Sequence, residues 1–467
     1  MRAPVFSRLQ RAIGIAVLCL GATSAQADDL LEIFNLAVEN DPSIRQARAT
    51  FNANHTLIDQ GRALLLPTVE VTARTSRDTS GVDGALPSDG GGVIRVPEHS
   101  FANGFNNKGW GVSLRQALFN AEAWYAFRAA KKGDEAAALS LAAAEQDLIM
   151  RVATAYFNVL RAQTNLATFT AEEEAARRVL EQTQQRFDVG LVAITDVYDS
   201  QANYDLASVN RLVEENNLNQ ALEALEAITG RTHMQVENLA EAFPITASDT
   251  PMEDWMTVAM QNNPEIRIAE LELEARQEDA KAAKARMYPT VDLNMAYNWN
   301  ESGNPISFTP NLAQENSSVT LNLTVPVFAG GLNSARLRQA YYTRDASEEA
   351  LLKSRRDSTL SVRNAFRSVE TDVRAVQARA QAIISAQSAL EATQVGAEVG
   401  TRNVVDVVLA QRTLFQAQRD HANARYDYVI DSLTLKRAAG TLTPQDVIDL
   451  NEWLEANAPP VPTPTTP

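Results

Sequence analysis

The chain has 467 residues, of which 42 are Lys or Arg and 58 are Asp or Glu, giving a formal net charge of −16. An acidic chain repels a phosphate backbone, which argues against nucleic acid as a partner. The single cysteine, Cys19, lies near the amino terminus, so the rest of the chain has no thiol for a disulfide, a thiolate metal site or a catalytic cysteine.

The first 27 residues are typical of a secretory signal peptide. Arg2, Arg8 and Arg11 form a basic segment, Ala12–Gly21 is a short apolar segment, and Ala25-Gln26-Ala27 is a small-residue cleavage site. The apolar segment is too short to anchor the chain across a bilayer. We therefore predict an exported protein.

The remaining sequence contains an internal duplication. Asn40-Asp41-Pro42 returns as Asn262-Asn263-Pro264 at an offset of 222 residues, and Phe187–Gly190 returns as Ala397–Gly400 at an offset of 210. Two constant offsets in the same order indicate two repeats rather than chance similarity between helices. The predicted boundaries are 1–27 for the signal peptide, 28–230 for the first repeat, 231–250 for a linker or collar, 251–440 for the second repeat, and 441–467 for a collar segment with a disordered Pro-rich tail.

Each repeat is predicted to begin with a helix of about 35 residues near Asp41-Pro42 or Asn263-Pro264, followed by two strands. The strands alternate apolar and polar residues with a period of two, clearly in the second repeat and more weakly in the first. Their apolar positions are Val69, Val71 and Ala73; Trp110, Val112 and Leu114; Val291, Leu293, Met295, Tyr297 and Trp299; and Val319, Leu321, Leu323 and Val325. This pattern fits a half-buried sheet on a soluble core or the wall of a membrane barrel, and the signal peptide favours the barrel.

Polar segments rich in Gly, Asp, Ser and Asn separate the strands of each pair, at Asp78–Lys108 and Glu301–Asn316. Such segments bury too little apolar area to order themselves well. They suit the exposed loops at the rim of a barrel.

The pattern after the strands predicts a very long helix in each repeat. Asn120–Val189 would form a helix of 70 residues, and Leu148–Leu166 has the heptad-like spacing of coiled-coil packing. One chain offers too few long helices for such packing, and four strands cannot close a barrel, because about eight strands is the small end. We therefore predict self-association, in which three chains supply twelve strands and a ring of helices.

No cofactor and no enzyme activity are expected. The four histidines are His55, His99, His233 and His421, and none has metal-ligand spacing to another. Nothing signals a Ser-His-Asp triad. The acidic residues of the helices alternate with Arg and Gln, as on solvated faces.

Several motifs, in matching order and spacing, resemble the TolC family of outer-membrane efflux and type I secretion channel proteins. They are Val189–Leu191 with Ile194–Val197, Val325–Gly331, Val399–Arg402 with Val405–Val407, Asn423–Tyr428, and Ala439–Leu442. The resemblance covers the predicted mature chain to about Leu454.

The resemblance implies a mainly α fold with β: a homotrimeric outer-membrane β-barrel, with four strands per chain and twelve in total, continuous with a long periplasmic α-helical barrel. It implies an exit duct of a tripartite efflux pump or type I secretion system. The implied partners are outer-membrane lipid, a periplasmic adaptor protein and an inner-membrane transporter of the RND or ABC type. Two alternatives are an exported soluble coiled-coil scaffold and a simple porin or adhesin barrel.

The resemblance also implies two sets of functional residues. The adaptor-docking tips would be Val189, Gly190, Leu191, Val399, Gly400 and Thr401. The gate would contain Asp406, Arg402, Asp196, Thr195 and Leu409.

Threefold symmetry would gather three copies of Asp406 into one ring of carboxylates, which would hold cations at a constriction. Arg402 would reach Thr195 and Asp196 of a neighbouring hairpin and hold the tunnel shut. Where the family can carry a second acidic ring, this sequence has Leu409, which predicts one anionic ring beside a more apolar constriction. Alternatively, Arg402 and Asp406 form an ordinary surface pair four residues apart, and the two glycines only form turns.

Overall fold

The computed structural model describes residues 28–80, 84–87, 93–96, 103–303 and 312–455. The first repeat contains α1 (Leu30–Asn40), α2 (Pro42–Ala63), β1 (Thr68–Ser80), β2 (Gly84–Pro87), β3 (Val93–Val96), β4 (Asn103–Phe119), α3 (Ala121–Asp188) and α4 (Ile194–Thr229). The remainder contains β5 (Asn238–Leu239), α5 (Met252–Asn262), α6 (Pro264–Ala285), β6 (Thr290–Ser302), β7 (Leu312–Thr324), α7 (Leu332–Glu398), α8 (Val404–Ala438), α9 (Pro444–Asn451) and β8 (Leu454–Glu455). The predicted signal peptide and the Pro-rich residues 456–467 lie outside the described residues.

The two repeats match element by element. Helices α1 and α5 each have 11 residues, and α2 and α6 each have 22. Helices α3 and α7 have 68 and 67 residues, and α4 and α8 have 36 and 35. Lengths that agree to within one residue, in the same order, are what an internal duplication produces.

The prediction of one helix of about 35 residues at the start of each repeat is wrong, because each is two helices separated by a single residue. Asp41 and Asn263 lie at these breaks with extended backbone, at φ −61° and ψ 121° and at φ −65° and ψ 119°. A proline follows each one, and proline disfavours helical backbone in the residue before it. The same two residues then cap the next helix, since each side chain accepts the backbone N–H two residues ahead.

The four long strands form one antiparallel sheet in the order β1-β4-β6-β7, as the four-strand prediction requires. Strands β4 and β6 are neighbours, with Trp110 opposite Trp299, so the sheet joins the two repeats. Strands β1 and β7 are the two edges, and within one protomer each pairs along one side only.

One face of this sheet is apolar and exposed. Val69, Leu114, Met295 and Val319 lie directly opposite one another in a row across the four strands, and opposed residues share a face. The exposed fraction is 64% for Val69 and 72% for Val319. An apolar face of this extent requires an apolar covering.

The segments between the paired strands are shorter in the structure than the sequence predicts. The ladder of β1 and β4 continues to the pair Ser80 and Asn103, and that of β6 and β7 continues to Ser302 and Leu312. Strands β2 and β3 form a further small hairpin inside the first segment. Composition does not predict these strand ends, because backbone pairing in an antiparallel ladder continues past the point where apolar side chains end.

The main apolar core lies halfway along the long helices, where α3, α7 and α8 meet α1 and the end of the chain. Tyr156 and Phe157 of α3 are fully buried there. The hydroxyl of Tyr156 donates to the carbonyl of Glu237 at 2.8 Å, so this buried polar group is satisfied. None of the helices in the described ranges is long and apolar enough to cross a membrane.

The segment predicted as a linker or collar packs beside this core. Leu239 of β5 pairs with Leu454 of β8, which brings the end of the described chain against residues 231–250. Phe243 contacts Trp453 edge-on, with ring centroids 5.9 Å apart. The two ends of the predicted collar are therefore adjacent in one protomer.

Candidate functional site

The tips of the two long helical hairpins are built on one turn geometry. Gly190 follows α3 with φ +77°, and Gly400 follows α7 with φ +76°. In each tip the N–H after the glycine donates to a carbonyl five residues earlier, from Leu191 to Arg186 and from Thr401 to Gly396, both at 2.8 Å. A Cβ at either glycine would meet open space, so the left-handed backbone is the reason for glycine.

Apolar side chains surround both tips and are exposed within the protomer. Val189 and Leu191 are 70% and 69% exposed, and Val399 is 68% exposed. The hydroxyl of Thr401 donates to the carbonyl of Gly396 at 3.0 Å and strengthens the turn. The predicted docking residues therefore form two small apolar surfaces at one end of the molecule.

Asp406 lies in the first turn of α8 and caps that helix. Its N–H donates to Oδ1 of Asn403 at 2.8 Å, while its own Oδ2 accepts the N–H of Asn403 at 3.3 Å. This reciprocal pair is a capping box. Nη1 of Arg402 lies 3.9 Å from the same Oδ2 of Asp406. Within one protomer, Arg402 and Asp406 thus form the i, i+4 pair that was the alternative to a gate.

The first tip carries the matching residues Thr195 and Asp196. Oδ2 of Asp196 accepts the N–H of Ala193 at 3.4 Å, but Ala193 has no side-chain acceptor to return a hydrogen bond. In the described part of one protomer, no hydrogen bond or ion pair joins Arg402 to Thr195 or Asp196. Within the described residues of one protomer, the tip of the second hairpin is therefore not joined to the first through Arg402.

Leu409 follows Asp406 by three residues on α8 and is 54% exposed. Residues three apart are neighbours on a helix surface. The structure therefore brings an exposed apolar side chain and a capping carboxylate onto adjacent positions near the tip.

Two residues important to this tip were not singled out from the sequence, Gly396 and Asn403. A Cβ at Gly396 would lie 2.8 Å from Cγ of Arg402, so the glycine makes room for that side chain. A glycine inside a helix costs about 1 kcal/mol relative to alanine, so a glycine four residues before a turn indicates a position where a side chain does not fit. Asn403, three residues before Asp406, was a readable capping signal.

Two carboxyl groups lie together farther up the same helix pair, on Asp372 of α7 and Asp431 of α8. Burial and the neighbouring Asp431 raise the pKa of Asp372 to about 7, while Arg379 acts in the opposite direction. Burial also raises the pKa of Asp431. This part of the second hairpin therefore carries a group that titrates near neutral pH.

Metal binding has no candidate in the described residues, which contain no group of three or more His, Cys, Asp or Glu side chains able to hold an ion. His55 lies 2.8 Å from Asp134, and His233 lies 2.7 Å from Asp28. These two histidines join helices or chain segments to one another. His99 lies outside the described residues.

A family model described as outer membrane efflux protein matches residues 33–231 and 255–441. The outer membrane protein TolC of Vibrio cholerae is 34% identical over 436 residues, which span 93% of this chain and 95% of that protein. The proteases secretion protein PrtF of Dickeya chrysanthemi is 25% identical over 445 residues, spanning 94% of each chain. The crystal structure of the Campylobacter jejuni CmeC outer membrane channel superposes with a TM-score of 0.75 at 17% identity, covering 97% of this chain and 98% of that chain.

These matches extend over nearly the whole length of this chain and of the proteins it matches, and they include both repeats and the sheet that their strands form. They agree with the predicted resemblance and with the predicted outer-membrane location. The two sequence relatives are named as an outer membrane protein and a secretion protein, and the structural neighbour is named as an outer membrane channel. The chain therefore belongs to the outer membrane efflux protein family and is an outer-membrane exit duct for efflux and type I secretion.

Proposed function

We propose that three copies of this chain form the duct, which receives substrates from an inner-membrane transporter of the RND or ABC type through a periplasmic adaptor protein and releases them outside. The observation that carries the proposal is the four-stranded sheet with an exposed apolar face above helices of 68 and 67 residues. Such a sheet suits lipid on its apolar face, and such helices are long enough to bridge a wide aqueous space, at about 100 Å each.

The edges of the sheet support a closed ring of copies. Strands β1 and β7 each have 13 residues and lie at opposite edges of an antiparallel sheet. Strand β7 of one copy would run antiparallel to β1 of the next, so each edge would complete the other. Three copies supply twelve strands, enough for a barrel with a water-filled interior.

The mature protein in mild detergent tests this assembly. We expect a trimer of roughly 140–150 kDa that forms ion-conducting channels in a planar bilayer. A monodisperse monomer with its full helix content would contradict the architecture. Fractionation with soluble periplasmic protein would favour the scaffold alternative.

We propose that the exposed apolar tips at Val189–Leu191 and Val399–Thr401 are the surface that binds the adaptor. Gly400→Asp adds a charge there, so transport should fall while the trimer still forms. Gly331→Asp is the matched control, because Gly331 also has a positive φ, of +84°, and open space around its Cβ position, but lies at the other end of α7. Equal transport in the two variants would show that charge at the tip is not the cause.

We propose that Asp406 and Leu409 line the constriction and that Arg402 holds it closed against Thr195 and Asp196 of a neighbouring copy. Asp406→Ala should lower cation preference and remove most of the block by multivalent cations, because it removes the carboxylate ring. Arg402→Ser should raise conductance. Asp199→Ala, an exposed carboxylate on α4, is the control. Unchanged single-channel behaviour in both test variants would contradict this gate but leave the channel standing.

A further inference from the structure

The lower part of the second hairpin, between the main core and the tip, has a small core of its own. Ile383, Ala386 and Leu390 of α7 pack on Leu414 of α8, apart from the main core. Nη1 of Arg379 on α7 donates to the carbonyl of Asp420 on α8 at 2.7 Å and closes this unit from above. Because α7 and α8 hold each other here, the lower hairpin can keep its structure while its attachment to the first hairpin changes.

That attachment is made through α8 and includes a buried charge, Glu172 of α3. Glu172 is 8% exposed. Its Oε2 lies 3.2 Å from Nη1 of Arg419, and its Oε1 lies 3.7 Å from Nε of Arg412. The two arginines are seven residues apart, about two helical turns, so both lie on the face of α8 that meets α3.

The side chains around Glu172 leave the attachment of the two hairpins dependent on its carboxylate. The guanidinium of Arg419 also lies over the ring of Phe169, 4.1 Å from the centroid, which fixes its position against α3. Beside it, a cavity of about 20 Å³ between α3, α4 and α8 is lined by Glu172, Arg412 and Phe415. Apolar contact is therefore incomplete at this level.

The position of Glu172 relates it to the constriction. Arg412 follows Leu409 by three residues and Asp406 by six, which is about 4.5 Å and 9 Å along α8. Because Glu172 holds Arg412 and Arg419 on the same helix, it limits how far Asp406 and Leu409 can move.

We propose that Glu172 is a positioning residue for the gate. Through Arg412 and Arg419 it holds the lower part of the second hairpin against the first hairpin. This rests on the proposed duct and its constriction. Loss of the carboxylate would free the lower hairpin to move outward and would raise the open fraction of the channel. Salt screens a buried ion pair less than an exposed one, and removing one partner of a buried pair leaves the other charge uncompensated.

The test is Glu172→Gln in the full-length trimer, measured as single-channel opening in planar bilayers. We expect the open fraction to rise by about tenfold, the effect of losing one hydrogen-bonded charge pair. Glu173→Gln is the matched control, because Glu173 pairs with Arg211 of α4 at 2.6 Å, within the first hairpin. Opening in Glu173→Gln should match the unmodified channel, and equal opening in the two variants would overturn the proposal.

A double-mutant cycle separates this pairing from a general loss of stability. If Glu172 acts through Arg419, adding Arg419→Gln to Glu172→Gln should change opening little beyond the single variants, whereas additive effects would contradict the pairing. If Glu172→Gln does not assemble, Arg412→Gln removes only the longer and more exposed pair and should give a smaller rise, and no rise would overturn the proposal. Absence of channels in the unmodified protein would instead contradict the proposed duct.

Discussion

The two repeats share a backbone plan but differ at matched polar positions. Asp41 pairs with Arg151 at 2.5 Å, whereas the matching Asn263 donates to Ser358 and to the carbonyl of Ala438. The long helix α3 buries eighteen side chains within the protomer, and α7, one residue shorter, buries ten. The first hairpin is therefore more firmly fixed to the core than the second.

The pair of carboxyl groups in the second hairpin is a further difference between the repeats. Asp372 and Asp431 occupy positions where the first repeat, 210 residues earlier, has Ala162 and Ala221. The prolines and the positive-φ glycines that set the helix lengths occur in both copies, while the capping residues of the long helices and the polar groups inside the helix pairs differ. The first copy therefore has the more extensively buried long helix, and the second carries the carboxyl pair whose pKa values are raised.

Among the variants that test this difference between the repeats, we expect the largest loss of stability when the residue at one helix break is replaced by its counterpart from the other repeat. Asn263→Asp loses the amide that donates to Ser358 and Ala438 and places a carboxylate in a buried site where those two partners are a hydroxyl and a carbonyl rather than a cation. We expect it to lower the free energy of unfolding by about 3–5 kcal/mol, as for an uncompensated buried charge.

The reverse change, Asp41→Asn, should cost only about 1.5–3 kcal/mol, because Arg151 keeps Asp147 as a second partner at 3.0 Å. Thermal unfolding of the detergent-solubilised protein would measure both variants. Equal losses of stability in the two variants would contradict the conclusion that an ion pair stabilises one helix break and neutral hydrogen bonds stabilise the other.

The glycines that end the returning helices provide a second contrast. Gly230 and Gly440 have φ of +70° and +73°, so alanine is strained at either position. At Gly440 a Cβ would also lie 2.4 Å from the carbonyl oxygen of Asn262, whereas at Gly230 the nearest atom, Cβ of Asn40, is 3.5 Å away. We expect Gly440→Ala to cost about 1–3 kcal/mol more than Gly230→Ala. Equal melting temperatures for the two variants would show that the backbone at Asn262 can move away.

The carboxyl pair of the second hairpin predicts a smaller, pH-dependent effect. The pKa of Asp372 is about 7 in the folded protein, above the ordinary value of about 3.9. The folded state therefore holds a proton that the unfolded state releases, and the stability that this proton contributes is complete below pH 4 and lost as the pH rises through 7.

The variant Asp372→Asn should lack this pH dependence. Because the group is partly exposed, solvent screens the repulsion, and we expect a change of about 2–4 °C in Tm between pH 5 and 8. Ala162→Asn in the first repeat is the positional control. A slope that persists in Asp372→Asn would assign the pH dependence to another group.

Sequence patterns predicted much of this fold because its determinants are local. Proline after Asp41 and Asn263, alternation from Val291 to Trp299, and glycine at 190 and 400 each act within a few residues. The break at Asp41 is not predicted by the sequence, because a proline near a helix start is compatible with either a start or a break.

The attachment at Glu172 could not be predicted in this way, since it joins residues 247 positions apart along the chain, Glu172 and Arg419. Nothing in a local pattern of Glu and Arg on a helix distinguishes a solvated charge from one buried between helices. The structure of one protomer does not test the role of Arg402 either, because the ion-pair partner that it shows for Arg402 is Asp406, four residues away.

The two unpaired edges of the sheet have a consequence for biogenesis. A single protomer presents two edge strands of 13 residues, β1 and β7, each with one side unpaired, beside an exposed apolar face. Such edges pair readily with any strand they meet and promote aggregation. The helical hairpins, rich in local contacts, can fold first. We therefore expect the sheet to order last, when copies meet at the membrane, so that survival of the protomer in transit depends on delaying strand pairing until its correct neighbours are present.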